Sequence, residues 1–216
     1  MLRRVGVIGS GVVGGVLADG FVRHGYDVMR GSRDPGKLAD WATGTQTGAS
    51  AGTMAEAAAF GDLVVLAVKG GAAEQAVALC GVDNLAGKTV IDTTNPIADL
   101  PPENGVLRFF TSLGESLMER LQRRAPQARF VKAFSCVGNA LMVNPDLGGQ
   151  VPTMFICGDS AAAKQEVQEV LRQFGWEWED LGGVEAARAI EPLCMLWCIP
   201  GFLRNQWTHA FKLLRR

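Results

Sequence analysis

Apolar positions along the chain switch between short unbroken runs and helical spacing, starting at the N-terminus. Val5-Gly6-Val7-Ile8 is the first run, and Val13, Leu17 and Phe21 then recur four residues apart. The pair predicts a strand feeding a helix. His24-Gly25 ends that helix, and Tyr26-Asp27-Val28-Met29 opens a second strand. The continuous run Leu63-Val64-Val65-Leu66-Ala67-Val68 is what a central parallel strand buried on both faces requires. Further strands are predicted at Thr89-Val90-Ile91-Asp92, 129–134 and 153–157, with a short third strand at 46–49 and a last, edge strand at 176–181. Helices fill the gaps over 37–43, from the Thr53 cap through Ala59, from Gly71 to about Leu79, over 112–124 with Leu113, Leu117 and Leu121 in register, and over 161–174. Thr53 and Glu56 have the spacing of a capping box.

From Val184 onward the pattern is helical, and Leu193-Cys194-Met195-Leu196-Trp197-Cys198-Ile199 is apolar on every side. No face is left for water, and Pro192 and Pro200 should kink the run. Three covers are open to it: the domain's own core, another subunit, or a flat aromatic ligand. The expected fold is therefore a Rossmann-type α/β, doubly wound and mostly parallel, over 1–182, with a C-terminal helical segment over 183–216.

The turn between the first strand and helix reads Gly9-Ser10-Gly11-Val12-Val13-Gly14. In that setting Gly9 permits the tight turn, Gly11 lacks the Cβ that would hold off a pyrophosphate, and Gly14 lets the helix sit close. The free N–H groups of the first helical turn favour a diphosphate. An NAD site usually places a carboxylate at the end of the second strand, but here the strand ends Gly31-Ser32-Arg33. A hydroxyl and a guanidinium suit the 2′-phosphate of NADP, with Lys37 as a second positive charge. The competing reading leaves Arg33 solvated and gives the ribose to Asp34. Strand ends at Ala67-Val68-Lys69 and Thr93-Thr94-Asn95-Pro96 should line the same crevice, since ligands of open parallel sheets collect beyond the carboxyl ends of strands. The loop 100–105 either covers the site or merely connects.

Composition narrows the partners to a small-molecule substrate. With 216 residues and a net charge of −1, nothing points to nucleic acid or an anionic membrane. The first apolar stretch is too brief and glycine-rich for a signal peptide, and no run of about eighteen uninterrupted apolar residues suggests a membrane span. A cytoplasmic location is expected. The five cysteines are scattered and odd in number, which argues against a disulfide framework. Cys194 and Cys198 share a helical face but lack a histidine nearby, so packing rather than metal binding is expected.

Taken together, Val7–Gly14, Gly31-Ser32-Arg33, 66–71, 131–139, Ile156-Cys157-Gly158-Asp159 and Ala187-Arg188-Ala189-Ile190-Glu191-Pro192-Leu193 resemble the deazaflavin (coenzyme F420)-dependent NADP oxidoreductases and their bacterial relatives. They are also similar to the cytosolic domains of the STEAP metalloreductases. The resemblance implies NADP on Ser10, Gly11, Val12 and Val13 with Ser32 and Arg33, and a nicotinamide wall at Ala67, Val68, Lys69 and from Ala133 through Ser135 to Val137, which Asn95 would adjoin. It implies hydride transfer between NADP(H) and a deazaflavin, or FMN or FAD, as second substrate. Many relatives read Lys-Ala-Phe-Asn-Thr where this chain has Lys132-Ala133-Phe134-Ser135-Cys136, so the second pocket carries over less well than the first. No catalytic dyad is expected, because the two rings exchange hydride directly. A non-enzymatic NADP-binding redox sensor and a small imine or carbonyl reductase are the alternatives. The latter needs a proton donor, for which Lys69, Lys132 and Ser135 are the available groups. The apolar C-terminal helix leads us to expect a homodimer.

Overall fold

A computed structural model describes residues 4–44 and 48–215. Its main sheet has six parallel strands: β1 Arg4–Ile8, β2 Asp27–Ser32, β3 Ala49–Thr53, β4 Leu63–Leu66, β5 Thr89–Asp92 and β6 Arg129–Lys132. They lie in the order β3-β2-β1-β4-β5-β6. The winding therefore reverses between β1 and β4, and the crevice of a doubly wound sheet opens there. Nine helices of the α type accompany the strands among the described residues: α1 Val12–Arg23, α2 Ala39–Gly44, α3 Met54–Phe60, α4 Ala73–Cys80, α5 Val82–Leu85, α6 Leu117–Arg124, α7 Ala161–Gln173, α8 Ala187–Ile190 and α9 Leu193–Arg204.

Alternate residues of the strands feed two cores. On one face Val5, Val7, Val28 and Val65 meet Leu17 and Phe21 of α1 and Val167 of α7, with Phe174 just beyond it. On the other, Ile8, Val64, Leu66 and Val90 meet α3, α4 and α6 through Ala57, Val77 and Leu121. Every residue of β4 is buried, as the continuous aliphatic run requires. Thr53 and Glu56 form the expected capping box on α3.

Several boundaries differ from the sequence reading. The third strand runs Ala49–Thr53 rather than 46–49, with Gln46 and Thr47 outside the described residues. β4 stops at Leu66 and β6 at Lys132, because the chain must turn out of the sheet where the crevice opens. α6 starts at Leu117: Ser116 caps it, with Glu119 returning the bond, and Leu113 lies outside the helix, 85% exposed. The stretch 176–181 does not edge the main sheet. Its strand β8 (Glu177–Asp180) pairs in parallel with β7 (Thr153–Ile156) in a small second sheet, joined to β6 by a single antiparallel bridge between Lys132 and Cys157.

The largest correction is at the C-terminus. α9 ends at Asn205 in a left-handed conformation, and residues 205–215 are not helical but run back along the body. Trp197 donates through Nε1 to the His209 carbonyl at 2.8 Å, and its indole stacks on the His209 ring. Thr153 N–H donates to the Phe211 carbonyl at 2.9 Å. The chain's own tail thus covers one face of the all-apolar helix and leaves Leu196, Phe202 and Leu203 exposed. By length and composition the run Val184–Arg204 could cross a membrane. Here it is a packed element, with Glu191 ion-paired inside the protein and Trp197 buried beneath the tail.

Candidate functional site

At the reversal of strand order a cleft of about 230 Å³ is lined by Gly9, Ser10, Gly11, Ser32, Arg33, Asp34, Lys37, Ala67, Val68 and Lys69. Three turns, those after β1, β2 and β4, converge there. Gly9 has φ +140, and a Cβ on it would lie 2.1 Å from the Ala67 carbonyl oxygen, so only glycine lets the β1 turn press against the β4 turn. A Cβ at Gly11 would meet no protein atom within 4 Å. That open cradle, together with an α1 N-terminus that no side chain caps, fits a diphosphate. Val12 and Val13 form the first turn of α1 beside the cleft, with Val12 68% exposed.

The far wall carries the groups that distinguish dinucleotides. Ser32 is buried and its Oγ accepts from Asp34 N–H at 3.2 Å. Arg33 and Lys37 are exposed. Asp34 lines the same cleft, so the geometry puts both readings of the β2 end at one rim. Met54, Ala72, Gln75, Ala76 and Leu79 complete the lining. These were missed in the sequence, which held no local signal that α3 and α4 turn these residues toward the β1 turn.

The other expected residues, Asn95, Ala133 and Ser135, lie just beyond the ends of β5 and β6 and are not part of that lining. Asn95 Nδ2 donates to the Ser135 carbonyl at 2.7 Å. Ser135 is 3% exposed, and its Oγ and Asn95 Oδ1 are both buried without a protein partner. Buried polar atoms rarely stay unsatisfied, so water or a ligand group completes this corner. Ala133 is fully buried beside it. Phe134 holds φ +60, an uncommon conformation for a bulky residue that turns the chain sharply out of β6. Burial pushes the Cys136 thiol up to about 12, which leaves no thiolate for nucleophilic work at neutral pH.

Lys132 is the clearest departure from expectation. Offered by the sequence as a proton donor, it is wholly buried and locked. Its Nζ lies 2.7 Å from Asp92 Oδ2 and 2.9 Å from Glu191 Oε1, and donates to the Thr94 carbonyl at 2.8 Å. Burial pulls this ammonium down, and the two carboxylates outweigh that and hold it above the ordinary lysine value. Asp92 Oδ1 also accepts from Thr94 N–H at 2.9 Å and from its hydroxyl at 2.7 Å. Glu191 accepts from the N–H groups of Leu117 and Met118, each at 3.0 Å. Arg188 grips Glu119 beside them, with Nε at 3.0 Å. The charged residues of the 187–193 motif thus fasten the C-terminal helices to α6 and to the floor of the crevice. Lys69, the other lysine considered as donor, pairs with Asp99 at 2.9 Å on the exposed rim.

A crystal structure of a protein from Arthrobacter sp. FB24, named as a candidate F420-dependent NADP reductase, superposes with a TM-score of 0.91 at 30% identity, covering 100% of both chains. The chain belongs to the family of F420-dependent NADP oxidoreductases. The family model described as NADP oxidoreductase coenzyme F420-dependent matches residues 4–96, the part that carries the cleft's β1, β2 and β4 walls. Metalloreductase STEAP3 of Rattus norvegicus is 32% identical over 206 residues, 93% of this chain and 39% of that protein, so the chain spans about two fifths of its curated relative's length. A reductive aminase from Aspergillus terreus, solved with NADPH4, cyclohexanone and allyl amine, shares the fold at TM-score 0.68 and 19% identity over 95% of this chain and 63% of its own.

Proposed function

We propose that this oxidoreductase passes hydride between NADP(H) and a deazaflavin or flavin-like acceptor. The observation that carries the reading is the cleft itself: an uncapped α1 N-terminus and the open Gly11 cradle at one end, and Ser32, Arg33 and Lys37 at the other. The loop from Gly9 to Val13 holds the diphosphate, while Ser32, Arg33 and Lys37 take the 2′-phosphate, for which a planar guanidinium is well matched. Ala67, Val68 and Lys69 continue the wall toward the reacting ring, and the unsatisfied Asn95 Oδ1 and Ser135 Oγ orient polar groups at its edge. When bound, the nicotinamide supplies or accepts the hydride. The protein's own task is to fix two rings at contact distance and exclude water.

Acid–base chemistry has little support among the described residues. Lys132 is consumed by its carboxylates, Lys69 on the rim is paired with Asp99, Cys136 is held as a thiol, and Ser135 has no base hydrogen-bonded to it. This favours a flavin-like acceptor over an imine or carbonyl, which would need a proton donor. We further propose that the exposed face of α9, with Leu196 and Leu203 each more than half exposed, is covered by a second copy of the chain.

The test is anaerobic NADPH oxidation with a deazaflavin, with FMN or FAD, and with a cyclic imine as alternative acceptors. Turnover with a deazaflavin or flavin that survives Ser135→Ala supports the reading. Turnover with the imine alone, abolished by Ser135→Ala or Lys69→Ala while NADPH still binds, would replace it with the reductase reading. Binding without any turnover would leave a redox sensor.

A further inference from the structure

We propose that Arg30 is a positioning residue of the cleft, aiming the glycine loop at the diphosphate and supplying positive charge from beneath it. The inference rests on the reading of this cleft as a dinucleotide site and assigns a role to a residue that the cleft lining does not include. Arg30 stands on β2 and is 5% exposed. Its Nη2 donates to the carbonyl oxygens of Gly9 and Gly11, both at 3.2 Å. Its guanidinium carbon lies 5.0 Å from the centre of the Trp41 ring, and Trp41 is in turn fixed by donating to Asp19 Oδ1 at 2.7 Å.

Two features of this arrangement point upward through the loop. The first is geometric. In a trans peptide the carbonyl and the following N–H point in opposite directions, and no peptide among the described residues is cis. Drawing the Gly9 and Gly11 carbonyls down onto one guanidinium therefore turns the N–H groups of Ser10 and Val12 away from it, toward the side on which the Gly11 cradle is open.

The second is electrostatic. Among the described residues no carboxylate reaches ion-pairing distance of Arg30, and its Nε is buried without a partner. Burial lowers the pKa of this guanidinium and the more distant Asp19 only partly opposes that, yet an arginine stays protonated in proteins. A buried charge without a counter-charge is costly. One layer of peptide separates this one from the cradle, and an anion seated there would balance it. Arg33 reads the 2′-phosphate that separates NADP from NAD. Arg30 serves the diphosphate that both share.

The two arginines predict opposite results with two simple probes, 5′-ADP, which has the diphosphate and no 2′-phosphate, and 2′-AMP, which has the reverse. Calorimetric titration of Arg30→Met should show 5′-ADP binding weakened on the order of tenfold, as expected for loss of one partly screened charge nearby, with 2′-AMP unchanged. Arg33→Ala should show the converse. Arg30→Lys keeps the charge but cannot hold two carbonyls in one plane, and should fall between wild type and Arg30→Met for 5′-ADP. It also serves where the methionine variant does not fold. Equal losses for both probes would mean that Arg30 only supports the fold, and no loss for 5′-ADP would mean that it does neither; each overturns the proposal. A wild-type protein that binds neither probe would instead remove the dinucleotide reading, and the role of Arg30 with it.

Discussion

Replacing Lys132 by methionine keeps the length of the side chain and removes its charge from a fully buried site. Three contacts are lost, to Asp92, Glu191 and the Thr94 carbonyl, and two carboxylates stay behind at 0% and 2% side-chain exposure. Each keeps backbone donors, Asp92 from Thr94 and Glu191 from Leu117 and Met118, so neither is stripped bare. Removing one partner of a buried ion pair costs about 3–5 kcal/mol. In a domain of this size that is a fall of about 6–20 °C in melting temperature. Adding Glu191→Gln to Lys132→Met removes one of the stranded charges, so the double variant should be more stable than the sum of the single changes by at least about 1 kcal/mol. Denaturant melts of the two single variants and the double variant decide it. A Lys132→Met protein within about 1 kcal/mol of wild type, well under the expected cost, or a double variant no more stable than the sum of the single changes, would refute the argument that this array fastens the C-terminal helices.

Arg33→Ala should weaken NADP binding by about 1.5–3 kcal/mol, the range for a hydrogen bond to a charged group, and barely change NAD; fluorescence titration of both cofactors checks it, and equal losses would return the ribose to Asp34. The hydrogen bond from Arg188, against the opposing effect of burial, holds the Glu119 carboxyl down at about 2. Its contribution to stability is therefore present above the ordinary glutamate value and lost as pH falls toward 2, and Arg188→Ala should flatten that part of the acid-unfolding curve. Light scattering across a concentration series should show a dimer that Leu196→Glu dissociates, because a charge placed on a covered apolar face opposes burial; a wild-type protein that stays at 23.0 kDa at micromolar concentration would exclude it.

Local signals made the cofactor half of the fold legible. Gly9, Gly11 and Gly14 sit at fixed offsets between a run and a helix, and β4 and β5 announce themselves by unbroken apolar residues. Leu113 misled because its spacing to Leu117 and Leu121 is helical, although Ser116 and Glu119 carry the capping-box signal that places the true start. What the sequence did not disclose depends on distance. Asp92, Lys132 and Glu191 each stand out as a charge in an apolar setting, yet nothing local says that residues so far apart will meet. Arg30 is silent inside its strand for the same reason: its partners are carbonyl groups of another turn. The tail after Asn205 carries Trp207, Phe211, Leu213 and Leu214 among polar residues, and its hydrogen bonds go to Thr153 and Trp197 rather than along a helix.

The most direct test of the account follows a deuterium label. A deazaflavin has carbon where a flavin has its reactive nitrogen, so a hydride delivered there forms a C–H bond that does not exchange with water. The protein is given NADPH deuterated at the transferring position of the nicotinamide, together with an oxidised deazaflavin in ordinary water, and the reduced product is examined by mass spectrometry. The account predicts that the product carries the deuterium. A reduced deazaflavin without the label, or a protein that binds the labelled NADPH and leaves deazaflavin, FMN and FAD all oxidised, would contradict it.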